Sequence, residues 1–92
     1  MVDELPPVLV VMALPAEGAG RFEQGGIPVL YTGIGKVNAA VALMRRLSDY
    51  RQAGRAPGLV VNFGTAGGVN VRARTLVACR RFVDRDMDVG AL

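Results

Sequence analysis

The segment Leu59-Val-Val-Asn-Phe-Gly-Thr-Ala-Gly-Gly68 runs an apolar strand straight into a glycine loop, and few folds accommodate that junction. Leu59, Val60 and Val61 form the short uninterrupted apolar run expected of a strand covered on both faces. Gly64, Gly67 and Gly68 are expected to turn through conformations that a β-carbon forbids and to bring main-chain N–H groups near a ligand. Thr65 places a hydroxyl in the middle of the loop. A loop of this kind, at the carboxyl end of a parallel strand, is where open α/β sheets bind small molecules.

The remaining chain alternates in the same way. Val8-Leu-Val-Val-Met-Ala-Leu14 follows Pro6-Pro7 and stops at Pro15, as a central parallel strand does. Pro28 to Thr32 reads as a second strand, ended by Gly33. Lys36 to Gln52 is the clearest helix: Val37, Ala40, Val41, Met44 and Leu47 recur at helical spacing, while Arg45, Arg46, Asp49 and Arg51 face water. Gly54 and Pro57 close it in the order expected of a helix end. Leu59 to Asn62 is the third strand and Thr75 to Phe82 a fourth. The order predicts an α/β sheet with crossover connections. One helix cannot cover both faces of such a sheet, so the chain reads as part of something larger.

At 92 residues the chain makes one small domain, below the usual size of an α/β enzyme. Its hydrophobic share of 51% and charged share of 21% exclude a disordered chain. The net charge of +3 is spread without a basic block or an aromatic-interleaved stripe, which argues against nucleic acid as a partner. Histidine is absent, removing the commonest general base and metal ligand. Cys79, the single cysteine, lies in an apolar run and is expected to be buried and inert in a reducing compartment. Asp3 and Glu4 stand where a signal peptide would be basic, and Val8 to Leu14 is too short to span a bilayer. These features point to the cytoplasm and away from membranes.

Three constellations could carry chemistry. Glu17, in Ala13-Leu-Pro-Ala-Glu17, stands just past the first strand, where a carboxylate can orient a water or take its proton. Alone, it reads more readily, by roughly two to one, as a first-turn carboxylate stabilised by a helix dipole. Thr32-Gly-Ile-Gly-Lys-Val-Asn38 has two glycines of the dinucleotide fingerprint, but Asn38 occupies the third position and no suitably spaced acid follows. It is not a P-loop either, since Gly33 and Gly35 stand too close and no Ser or Thr follows Lys36. A tight turn with a solvated Lys36 is the plainer reading. Asp84-Arg-Asp-Met-Asp88 sets three carboxylates at alternate positions. Val89 stands where a calcium loop needs glycine, so a solvated strand edge neutralised by Arg80, Arg81 and Arg85 fits better.

In this order the pieces resemble the N-terminal part of the nucleoside phosphorylase/nucleosidase superfamily, nearest the methylthioadenosine/S-adenosylhomocysteine nucleosidases. The resemblance is carried by Val10-Val-Met-Ala-Leu-Pro-Ala-Glu17, Thr32-Gly-Ile-Gly-Lys-Val-Asn-Ala-Ala40, Val61-Asn-Phe-Gly-Thr-Ala-Gly-Gly68 and Arg85-Asp-Met-Asp-Val89. It implies part of a three-layer αβα fold with a mostly parallel central sheet. It also implies cleavage of the N-glycosidic bond of a purine nucleoside through an oxocarbenium-like sugar, with no metal or organic cofactor. Glu17 matches the glutamate that, in the nucleosidases, helps activate the water attacking C1′, which reverses the weighting of its plainer reading. Ile34 would line the ribose and 5′-substituent pocket. Thr65, Ala66 and Gly67 match the loop that holds phosphate in phosphorylases and borders the water and ribose site in nucleosidases.

The resemblance covers nearly all of the chain but less than half of a family member. Residues 1–92 are thus expected to be the N-terminal portion of one domain truncated at its C-terminus, inactive alone or active only when complemented. The stretch between Glu17 and Thr32 is shorter than in familiar nucleosidases, and the groups that clamp the ribose, stack on the purine and protonate it have no counterpart here. For a complete domain the resemblance implies a homodimer. Phosphorolysis is the alternative within the family; a noncatalytic nucleoside-binding module, or a truncated chain without function, is the alternative outside it.

Overall fold

The computed structural model describes residues 8–55 and 57–84. Its elements run β1 (Val8–Met12), α1 (Pro15–Gly18), α2 (Arg21–Gln24), β2 (Val29–Tyr31), α3 (Lys36–Gln52) and β3 (Leu59–Asn62). The three strands form one sheet in the order β2-β1-β3. Both pairings are parallel, with Val11 opposite Leu30 on one side and opposite Asn62 on the other. The α/β class expected from the alternation is therefore what the chain forms.

The central strand is the core. Leu9, Val10, Val11 and Met12 are buried, because β1 alone has a strand on each side and covering on each face. Its alternate residues divide between two layers. Leu9 and Val11 join Leu30 beneath Ala42, Leu43 and Tyr50 of α3. Met12 points the other way, toward α1, where a β-carbon on Gly18 would lie 2.8 Å from its terminal methyl carbon. Phe22 of α2 covers the same face and meets Phe63 edge-on, with ring centroids 5.1 Å apart. Helices thus flank both faces of the sheet.

The two single-turn helices between β1 and β2 are absent from the expected order, because four residues leave no apolar periodicity to read. Pro15 does not merely end β1. It occupies the first position of α1, where its missing N–H costs nothing, and it holds Leu14 extended at φ −133° and ψ 146°.

Helix α3 keeps its expected bounds and ends as expected. Gly54 adopts φ +73°, its N–H donates to the Arg51 carbonyl, and the Arg55 N–H donates to the Tyr50 carbonyl at 2.8 Å. That is a Schellman closure. Its orientation corrects the expectation. Val37, Val41 and Met44 are exposed, and the face on the sheet is instead Ala42, Leu43 and Tyr50. The helix carries apolar residues over a wider arc than one sheet face covers, so spacing alone did not single out the buried stripe.

Strand β3 also has its expected bounds but not its expected cover. Leu59 and Val60 are exposed because β3 is an edge strand, paired only with β1 among the described residues. An apolar groove lined by Val11, Ala39, Leu43 and Val60 lies between it and α3. The expected fourth strand, Thr75 to Phe82, does not form; that stretch is irregular and exposed. A strand parallel to β3 needs a crossover, usually helical, and no helix forms between Phe63 and Arg74. Cys79, expected to be buried with that strand, is accordingly exposed. No helix among the described residues is long and apolar enough to cross a membrane.

Candidate functional site

The chain leaves all three strands at one edge of the sheet. Past the carboxyl end of β1, Leu14 leads into α1; past β2, Thr32 and Gly33 lead into α3; past β3, Phe63 leads into the glycine loop. The backbone ladder continues into these exits: Thr32 N–H donates to the Met12 carbonyl, Gly33 N–H to Ala13 and Phe63 N–H to Val11, at 2.9–3.0 Å. The order β2-β1-β3 carries the β1–β2 connection over one face of the sheet and the β2–β3 connection, with α3, over the other. The β1/β3 exit is where an open parallel sheet of this order forms a crevice.

Glu17 stands in that crevice. It is the third residue of α1, and its Oε1 accepts the Leu14 N–H at 3.0 Å. This is half of a capping box, since Leu14 has no side-chain oxygen to return the bond. Its Oε2 turns toward β3 and accepts both the Thr65 N–H at 2.9 Å and the Thr65 hydroxyl at 3.2 Å. The first-turn position of Glu17 and its contact with the loop after β3 thus occur together. The Thr65 amide, followed by the Leu14 amide, lowers the Glu17 carboxyl below its ordinary value; desolvation opposes this, and the Thr65 hydroxyl and the Ala13 amide add to the lowering. The group is a carboxylate at neutral pH.

The loop glycines work differently from expectation. Gly64, Gly67 and Gly68 are not among the glycines with positive φ; those are Gly20, Gly26, Gly33, Gly35 and Gly54. What glycine provides at position 64 is room. A β-carbon there would stand 3.2 Å from Glu17 Oε2. Backbone and carboxylate could not then approach as they do.

Of the expected site residues, Glu17 and Thr65 are brought into direct contact across 48 positions of sequence. Ala66 and Gly67 continue the loop and are exposed. Ile34 lies at the neighbouring β2 exit between Gly33 (φ +80°) and Gly35 (φ +99°), with its side chain 71% exposed. Its carbonyl accepts the Asn38 side-chain amide at 2.8 Å, which explains the asparagine at the position where a third glycine would stand. Lys36 is not simply solvated: its Nζ lies 3.2 Å from Asp84 Oδ2. A cation in the first turn of α3 opposes the helix dipole, and Asp84 offsets that. Asp86 and Asp88, like Arg85, lie outside the described residues.

Sequence reasoning missed Phe22 and Phe63, which meet beneath the loop, and the Leu14 amide as a Glu17 donor. The Leu-Pro-Ala-Glu spacing, with glutamate three residues after the cap, was a readable signal for the latter. Nothing in sequence pairs the two phenylalanines. No group of His, Cys, Asp or Glu with metal-binding geometry occurs among the described residues.

Comparison with known proteins finds relatives of this chain. Residues 15–92 match the phosphorylase superfamily. Three curated relatives are each described as a 5'-methylthioadenosine/S-adenosylhomocysteine nucleosidase. That of a Marinomonas species is 39% identical over 76% of this chain and 29% of its own length. Those of Geobacillus kaustophilus and Geobacillus thermodenitrificans are 38% and 37% identical, over 78% and 89% of this chain and 29% and 34% of theirs. The chain therefore spans about a third of the length of these relatives. No solved structure matches it significantly.

Proposed function

Because this chain belongs to the phosphorylase superfamily, we propose that its β1/β3 crevice is the nucleophile side of a site that hydrolyses the N-glycosidic bond of a purine nucleoside. Methylthioadenosine and S-adenosylhomocysteine are the substrates named for its relatives. The observation that carries the reading is the bonding of Glu17. A carboxylate oxygen has about two acceptor positions. Oε2 fills both with Thr65, while Oε1 takes the Leu14 N–H as its one close donor, with the Ala13 amide acting more weakly, and keeps a position for a further donor. A water donating to that remaining position would be held with its own lone pair free to attack C1′ as the bond to the purine nitrogen breaks. The lowered pKa suits an acceptor that orients the water through the oxocarbenium-like stage rather than one that keeps its proton. The purine leaves with the bonding electron pair and takes up one proton from solvent, while the water that has added to C1′ gives up one to solvent past Glu17, so no proton is gained or lost overall.

The same geometry favours water over phosphate. In a phosphorolytic site the Thr65 amide and hydroxyl would be free to hold an anion; here both donate to a carboxylate, whose charge repels phosphate. The chain spans about a third of the length of these relatives, so the assay is made on the complete domain carrying these residues. Adenine release from methylthioadenosine in phosphate-free buffer, lost in Glu17→Gln, is the expected result. A strict phosphate requirement would overturn it.

A further inference from the structure

We infer that Phe63, held edge-on by Phe22, is the positioning residue that sets Thr65 against Glu17. The bonds between Thr65 and Glu17 are exposed to solvent, and exposed hydrogen bonds compete with water unless their partners are already in place. Phe63 supplies that placement. Its N–H donates to the Val11 carbonyl at 2.9 Å, which extends the β1–β3 ladder one step beyond the Val11–Asn62 pair. Strand alternation then sends its ring to the face opposite Asn62 and the α3 groove, toward α2. There it meets Phe22 at 5.1 Å with the rings inclined at 72°. Both rings are half-buried.

Phe22 is anchored in turn beside Glu17. A β-carbon on Gly18, the residue after Glu17, would lie 3.4 Å from a Phe22 ring carbon. The contacts therefore close a ring: Glu17 to Gly18, Gly18 to Phe22, Phe22 to Phe63, and Phe63 through Gly64 to Thr65 and back to Glu17. As a contribution to catalysis this rests on the hydrolytic reading; as a statement of what positions Thr65, it does not.

Carbon-13 NMR titration of the Glu17 carboxyl in the 92-residue chain tests the placement directly. In Phe63→Ala the Glu17 midpoint should rise toward that of an ordinary glutamate, with the Leu9–Met12 amide signals unchanged. Phe63→Tyr, which keeps the ring, should restore the low midpoint. If Phe63→Ala does not fold, Phe22→Leu carries the same prediction with β3 intact. A Glu17 midpoint that stays at the wild-type value in the folded variant overturns the assignment. In the complete domain, Phe63→Ala should lower kcat about tenfold or more with little change in KM, and should move the acid limb of the rate profile to higher pH. If the wild-type domain cleaves no nucleoside, the hydrolytic reading fails and the titration alone decides for or against Phe63.

Discussion

Glu17 receives donors from two separate chain segments: Leu14 before it and Thr65 far beyond it. Its lowered carboxyl pKa makes loop order depend on pH with a definite sign. The contribution is fully present above the unfolded-state value near 4.5 and is lost as pH falls through the lower folded-state value. The Thr65 amide signal should thus shift in acid below the ordinary glutamate range, and Glu17→Gln should abolish that transition. Because the Thr65 backbone is the largest cause, Thr65→Val should raise the Glu17 midpoint less than Gly64→Ala, whose new methyl would stand against Oε2. Equal shifts would assign the effect to the hydroxyl. Tyr31 behaves oppositely. Its hydroxyl donates to Glu23, which raises its pKa, so deprotonation of the phenol breaks this link between β2 and α2 in alkali rather than near neutral pH.

At the scale of elements, what could be read from sequence was what local chemistry determines. The bounds of α3 followed from its glycine closure, and those of β3 from its flanking glycines. Gly54→Ala should destabilise the protein by about 1 kcal/mol, measured by denaturant unfolding, since φ +73° at that position strains any residue with a β-carbon. What sequence did not show depends on neighbours. Val41 and Leu43 are equally apolar, but only the latter faces the sheet, because α3 lies over β1 and β2. The run Leu76 to Phe82 has strand-like composition, but no helical crossover between Phe63 and Arg74 returns it parallel to the open edge of β3. Of the site, Glu17 and Thr65 were legible because each stands just past a strand, whereas their contact needed the order β2-β1-β3. The Phe22–Phe63 pair needed it too.

Across the molecule, stability is concentrated in one strand and the site at one end of it. The buried apolar residues described are Leu9, Val10, Val11, Met12 and Leu30, four of them in β1. Leu9→Ala should cost about 2–5 kcal/mol, a large part of the roughly 5–15 kcal/mol typical of a folded domain; denaturant unfolding would measure it. The same strand delivers Leu14 and Glu17 to the crevice, so the residues that hold the sheet also aim the carboxylate. The most direct measurement is adenine release from methylthioadenosine in phosphate-free buffer by the complete domain carrying this chain, compared with its Glu17→Gln variant. The account predicts release that added phosphate does not accelerate and that falls by about 10²–10⁴ in the variant. Release that requires phosphate, or that survives Glu17→Gln undiminished, would contradict it.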